Sequence, residues 1–191
     1  IMKLSFSTKG WHGRTFDDFC DIADDLKFQG IELHNIHNEL FTDRDSAFQK
    51  ATAPKTVRKL YEKKLSIPCI DSICNLADAS KKEETISEIT ACIDIAAELS
   101  IPYIRVKAYG FDDIDYINSV IAEILPIAQQ KGKVLLLETS GVFANTALLR
   151  DLLDRLHIFI SLRYNNIRIT HNRSRRCGCA TATSCHYAKL G

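Results

Sequence analysis

Ile101-Pro102-Tyr103-Ile104-Arg105-Val106, then a helical stretch from Ile114 to Gln130, then Val134-Leu135-Leu136-Leu137-Glu138 decide how this chain reads. Two short apolar runs bracket a longer segment of helical period, which is the mark of parallel strands joined by a covering helix. Gly132 closes the helix, and Pro126 inside it predicts a kink or a break. Upstream the pattern recurs. Leu65-Ser66-Ile67-Pro68 echoes Leu99-Ser100-Ile101-Pro102, so one helix-to-strand turn is expected twice, and Ile67 opens a third strand. Proline lacks an N–H and suits the first residues of a strand.

Further outward, Leu4-Ser5-Phe6-Ser7 and Ile31-Glu32-Leu33-His34 are the first two strands. Thr15 with Asp18 predicts a capping box, and Phe16, Phe19, Ile22, Ala23 and Leu26 form the stripe of the helix behind it. Gly30 reads as that helix's C-terminal glycine. Residues 36–52 read as loop. Lys55 to Lys64 is helical with Val57, Leu60 and Tyr61 inward, and Asp71 to Ala79 leads into a loop. A long helix from Ser80 or Lys81 shows Ile86, Ile89, Ile93 and Ala97 on one face. A last helix runs from about Asn145 to Leu156. The expectation is an α/β chain of five consecutive strand–helix units, with strands in sequential order starting near Leu4, Ile31, Ile67, Tyr103 and Val134. A doubly wound sheet and a barrel both fit this alternation. Neither G-x-G-x-x-G nor G-x-x-x-x-G-K-[ST] follows any strand, which removes the usual nucleotide signatures of the doubly wound class.

The 191 residues suffice for one core, but a complete eight-unit barrel typically takes about 250. Charge is segregated. All 24 acidic residues lie at or before Asp154, while seven of the 25 basic ones lie from Arg155 onward, so 1–154 carries −6 and 155–191 carries +7. The acidic body argues against non-specific nucleic-acid binding. Cys20, Cys69, Cys74 and Cys92 sit in apolar segments and read as reduced core residues of a cytoplasmic protein. Ile1-Met2-Lys3-Leu4 has no signal-peptide pattern, and Ile1 reads as a residue placed before a natural start. No run of 18 apolar residues exists to span a membrane.

In a parallel barrel the chemistry sits at the carboxyl ends of the strands. Those ends hold Trp11 and His12, Glu32 and His34, Asp71 and Asn75, Arg105 and Lys107, and Glu138. Glu138 closes four large apolar residues, so its carboxylate is paired, metal-bound or just past the barrel edge. Arg105 alternates with Ile104 and Val106. Inside the barrel it would bind an anion or pair with Glu32 or Glu138. Trp11, His12, Glu32, His34, Arg105 and Lys107 are the candidate substrate contacts, each with a structural alternative in ion pairing or loop packing.

Gly30-Ile31-Glu32-Leu33, Ile104-Arg105-Val106, Leu135-Leu136-Leu137-Glu138-Thr139 and Gly141-Val142-Phe143-Ala144-Asn145-Thr146 resemble, in order and spacing, the sugar-phosphate isomerases and epimerases with the xylose isomerase-like TIM barrel, a group that includes the endonuclease IV type of nuclease. The resemblance spans Met2 to Leu156 and implies 1–156 as a partial TIM (β/α)8-type barrel. It implies metal-dependent isomerisation or epimerisation of a sugar or sugar phosphate by proton transfer next to a carbonyl. It also implies a divalent metal, manganese or magnesium, with zinc or cobalt as alternatives, held by Glu138, which would help move the proton. The family's other ligands come from strands six to eight, which are not recognisable here, so the chain as it stands is expected to be inactive or nearly so. The nuclease branch uses histidines after strands three and four. Here stand Ser72 and Asn75, then Lys107 and Tyr109, which counts against cleavage at abasic DNA.

Residues 157–191 read as an atypical basic tail. Arg173-Ser174-Arg175-Arg176-Cys177-Gly178-Cys179 shows neither structural period, and Ala180-Thr181-Ala182-Thr183-Ser184 is low in complexity. A truncated or frame-shifted product, or a disordered segment, fits better than an evolved domain. A nucleic-acid-binding tail is the functional competitor. His171, Cys177, Cys179, Cys185 and His186 have poor spacing for zinc. The competing reading of the whole chain is a non-catalytic partial barrel that forms homodimers through its open sheet edges.

Overall fold

The computed structural model describes residues 3–111, 113–160, 167–171 and 186–187. β1 (Ser5–Ser7), β2 (Gly30–His34), β3 (Cys69–Asn75), β4 (Tyr103–Lys107) and β5 (Val134–Glu138) pair in sequential order, each parallel to the next. The order never reverses, which separates a barrel from a doubly wound sheet. The helices between them are α1 (Phe16–Asp25), α2 (Glu39–Thr42), α3 (Ala53–Glu62), α4 (Lys82–Glu98), α5 (Ile114–Gln130) and α6 (Thr146–Ile160).

The strand order runs one step further than the sequence showed. β6 (Ile167–His171) lies parallel to β5, with Leu135 opposite Ile167 and Glu138 opposite Thr170. β7 (His186–Tyr187) then turns antiparallel to β6. Ile167-Arg168-Ile169-Thr170 alternates β-branched and polar residues, a pattern that suits the edge left by β5. The rest of the expected basic tail, including Cys177, Cys179 and Cys185, lies outside the described residues.

Each strand has two unlike faces. Phe6, Ile31, Leu33, Ile70, Ile104, Val106, Leu135 and Leu137 point to the helix layer and join one continuous core with Phe19, Ile89, Ile93, Ile117, Ile121 and Leu152. The alternate positions carry Ser7, Glu32, Asp71, Arg105, Lys107 and Glu138, all buried. The period of two along each strand makes this division. Cys20, Cys69, Cys74 and Cys92 are buried. Burial pushes the thiols of Cys20 and Cys74 up to about 11 and about 12, so neither is a ready nucleophile. No helix among the described residues is long and apolar enough to cross a membrane.

The capping box of Thr15 and Asp18 forms as expected. Several local expectations change. Cys20 replaces Leu26 on the inner stripe of α1, and Leu26 is exposed. In α3 the inward residues are Ala53, Thr56 and Leu60, while Val57 and Tyr61 are exposed, Tyr61 by 84%. In α4, Ala96 is buried where Ala97 is only half-buried. Residues 36–52 include the short α2, and Asp71–Asn75 extends β3 instead of opening a loop, with an irregular register before Asn75. β3 begins at Cys69, after Ile67 and Pro68. α5 runs through Pro126 without a break.

Gly30 does not cap α1. It opens β2, where an added Cβ would stand 3.0 Å from Ser5 Cβ and 3.2 Å from the Ser66 carbonyl oxygen. The left-handed residue after α1 is Lys27, and the equivalents after α3, α4 and α5 are Lys64, Ser100 and Gly132. The next N–H in each turn donates back into the helix, as Leu65 N does to Leu60 O at 2.9 Å and Ile101 N to Ala96 O at 2.9 Å. The two Leu-Ser-Ile-Pro copies therefore sit differently. Four residues separate Lys64 from β3, but only two separate Ser100 from β4.

Only one of these four turns uses glycine, and a left-handed L-residue costs about 1–2 kcal/mol. Lys64→Gly and Ser100→Gly each free an exposed position of that strain. Glycine's looser unfolded chain offsets part of the gain. We expect each to raise the urea-unfolding free energy by about 0.5–1 kcal/mol.

Candidate active site

The inner face becomes charged at the carboxyl end of the sheet because successive strands bring ionisable residues into register. His34 lies opposite Asp71, Asp71 opposite Arg105, and Asn75 opposite Lys107. Arg105 is the centre. Its Nε donates to Asp71 Oδ1 at 3.1 Å, and its Nη2 lies 3.1 Å from Asp71 Oδ2, a two-pronged grip on one carboxylate. The same Nη2 donates to Glu32 Oε1 at 2.8 Å, and Nε stands 3.5 Å from Glu138 Oε2. Lys107 Nζ donates to Asp71 Oδ1 at 3.3 Å. His34 Nδ1 is 2.8 Å from Asp71 Oδ2. These five charged groups, Glu32, Asp71, Arg105, Lys107 and Glu138, are each at most 8% exposed.

Burial alone would push the Asp71 carboxyl up. The hydrogen bond from His34 and the charges of Arg105 and Lys107 outweigh it and hold Asp71 well below the usual carboxylate range. For Arg105, burial disfavours the charge, but Glu32 and Asp71 outweigh it and raise the guanidinium further. Three carboxylates thus face two fixed cations, an excess of negative charge inside the mouth.

Glu138 has its own holders. Ser140 Oγ donates to Oε1 at 2.8 Å, Tyr109 Oη donates to the same oxygen at 3.2 Å, and the two hydroxyls are 3.1 Å apart. Asn75 fixes the Tyr109 backbone, accepting from its N–H at 2.8 Å and donating to its carbonyl at 3.0 Å. Gly141, with φ +57°, lets the next loop approach. A Cβ there would run into the Ala108 carbonyl oxygen and the Tyr109 ring.

The structure therefore brings Glu32, His34, Arg105, Lys107 and Glu138 into one network. Trp11 and His12 stay out of it. Trp11 packs its ring 6.0 Å from Phe6 and 6.2 Å from Phe19, on the helix side of β1, and His12 is exposed. Asp71, read from the sequence as a polar strand end but not as a substrate contact, joins the network, as do Tyr109 and Ser140, which the sequence did not assign to the site. The alternation of His34 and Asp71 at adjacent strand ends was the available signal for the first. Nothing local marked the other two. A cleft bounded by Arg14, Thr15, Glu39, Asp43, Lys55 and Lys59 shares no residue with the network.

The described residues do not by themselves fit a divalent ion. Both oxygens of Glu138 are turned to donors, the other two carboxylates are tied to Arg105, and no three His, Cys, Asp or Glu side chains among the described residues could hold one metal. Hard cations want about six oxygen ligands.

No protein-family model and no curated protein matches the sequence. Solved structures do. The probable 3-DHS dehydratase AsbF of Bacillus anthracis is similar with a TM-score of 0.70 and 21% identity, over 89% of this chain and 62% of that one. D-psicose 3-epimerase, solved in the presence of D-fructose, is similar with a TM-score of 0.62 and 16% identity, over 89% and 63%. The IOLI protein, solved with a zinc atom, has a TM-score of 0.67 and 12% identity, over 88% and 62%. The chain spans less than two thirds of the length of these three structures.

Two consequences are measurable. Asp71 has a folded-state pKa below its unfolded value of 3.8, so its contribution is full above pH 3.8 and is lost as pH falls through the folded value. Asp71→Asn should cost about 3–5 kcal/mol at pH 7, because it leaves Arg105 buried without its main partner. The variant should also lack that part of the acid limb in urea melts. Gly141→Ala should cost at least about 2 kcal/mol and displace Tyr109, seen as a changed tyrosine near-UV circular dichroism. At these identities the likeness is one of fold: the chain is a partial barrel of the xylose isomerase-like kind, built like those of sugar isomerases and epimerases.

Proposed function

We propose that the network at the mouth is the substrate site of a sugar or sugar-phosphate isomerase or epimerase that moves a proton next to a carbonyl. The observation that carries this reading is the buried convergence of Glu32, Asp71, Arg105, Lys107 and Glu138 at the carboxyl ends of β2 to β5. A core would not gather five charges there without use, since each costs several kcal/mol to desolvate. Glu138 is the carboxylate that carries the proton. Tyr109 and Ser140 hold one of its oxygens and leave the group fixed in place. Arg105 and Lys107 supply positive charge for the oxygen on which negative charge develops.

D-psicose 3-epimerase and AsbF share this barrel, and the zinc atom of the IOLI protein supports a divalent metal in barrels of this kind. Manganese or magnesium, or zinc or cobalt, at Glu138 would need further ligands from beyond the described residues.

A second reading, self-association, rests on one observation: among the described residues β1 pairs with β2 alone, which leaves one side of β1 open. A second copy is the partner proposed for that edge.

Solvent deuterium incorporation into a panel of ketoses and ketose phosphates, with manganese or magnesium added, tests the first reading. Against the inactivity expected from the sequence, the assembled network leads us to expect exchange at the carbon next to the carbonyl, lowered at least about 100-fold by Glu138→Gln. Absence of exchange across the panel would overturn it. Light scattering tests the second: a mass of 21.5 kDa at all concentrations removes the dimer.

A further inference from the structure

Glu138 stands on β5, at one side of the network. On β2, with β3 and β4 between, stands His34. Its backbone is pinned, with its N–H donating to Thr8 Oγ1 at 3.0 Å and its carbonyl accepting from Asn38 Nδ2 at 2.8 Å. Its Nδ1 lies 2.8 Å from Asp71 Oδ2, and Asp71 is ionised. An ionised carboxylate only accepts hydrogen bonds, so Nδ1 must carry the hydrogen. Proton exchange is thereby left to Nε2. No described residue is a hydrogen-bond partner of Nε2, and the side chain keeps 18% of its surface exposed while Asp71 keeps 1%.

The charges around this ring are Glu32 on its own strand, Asp71 on β3, and Arg105 and Lys107 on β4. With Glu138, the carboxylates outnumber the two cations by one. A proton taken up at Nε2 is met across the ring by the Asp71 carboxylate, 2.8 Å from Nδ1.

We propose that His34, oriented by Asp71, is a second proton-transfer residue of this site, acting on the hydrogen next to the carbonyl of a hydroxy-ketone sugar. The inference rests on the proton-transfer reading above. Nε2 takes the proton as the C–H bond breaks. That electron pair forms the carbon–carbon double bond, and the carbonyl pair moves onto oxygen, giving an enediolate. The reverse movement returns the Nε2 proton to carbon, so no oxidant or reductant is consumed. Asp71 keeps its charge throughout and is a positioning residue: it sets the tautomer and stabilises the imidazolium.

The test pairs nitrogen-15 NMR of the full chain with deuterium exchange into D-fructose and dihydroxyacetone phosphate. We expect the neutral ring of His34 to carry its hydrogen on Nδ1. His34→Gln should slow exchange about 100- to 1000-fold with unchanged far-UV circular dichroism. Asp71→Asn should displace the pH midpoint of exchange, which a purely structural role would not move. If that variant does not fold, the tautomer and His34→Gln decide. Wild-type exchange rates in His34→Gln, with Glu138→Gln inactive, would overturn the role of His34 and leave the proposed function standing. No exchange by the wild-type chain would overturn both. A neutral ring with its hydrogen on Nε2 would overturn the geometry whatever the activity.

Discussion

The grip of Arg105 on Asp71 is the interaction on which the inner face depends. Both groups are almost fully buried, and neither is tolerable there alone. Asp71 accepts from Arg105, Lys107 and His34 at once, and Arg105 reaches on to Glu32 and Glu138. The parallel register makes this possible by setting Asp71 directly opposite Arg105. A shift of one residue would turn both charges into the apolar helix layer, so the charge network and the strand register support each other.

Apolar packing and fixed charge are thus placed on opposite faces of the same strands. The outward face and the helices make a continuous apolar core that orders the sheet. The inward face spends little area on apolar contact and holds charges in fixed positions. In the proposed reaction, fixed charges sheltered from water would act strongly on a developing negative charge, because they need not reorganise. Ser72, fully buried, donates to the Arg105 carbonyl at 3.0 Å where the β3 register becomes irregular. Asn75 and Gly141 do the same service for Tyr109. Much of the apparently loose chain after β3 and β5 is therefore scaffold for the mouth.

The likeness to AsbF and D-psicose 3-epimerase is one of fold. Within this chain the donors around Glu138 are hydroxyls and a guanidinium, and its fellow carboxylates are neutralised by Arg105. The three carboxylates outnumber Arg105 and Lys107 by one, and His34 meets this network through Asp71.

Legibility varied with the range of the interaction. Strand–helix alternation, the capping box at Thr15 and the polar strand ends depend on neighbours in sequence, and all could be read from Phe16, Ile104 or Glu138 and the residues beside them. Gly30 was misread because a glycine after a helix has two uses, and only the approach of Ser5 and Ser66 shows which one applies. Tyr61 was misread because helical spacing defines a stripe without saying how wide the covered strip is. β6 was missed because its five alternating residues carry too little periodicity alone, and pairing with β5 supplies the rest. The sequence by itself determined the parallel α/β alternation and the kinds of residue at each strand end, since both follow from periods of two and 3.6 along one chain. Only the tertiary structure decided that Arg105 takes Asp71 as its main partner, that Trp11 and His12 stay outside, and that Tyr109 reaches Glu138. The Arg105 and Tyr109 outcomes turn on contacts between residues 34 and 29 positions apart, and that of Trp11 on how its loop packs against Phe6 and Phe19; register and loop packing set these and no local pattern encodes them.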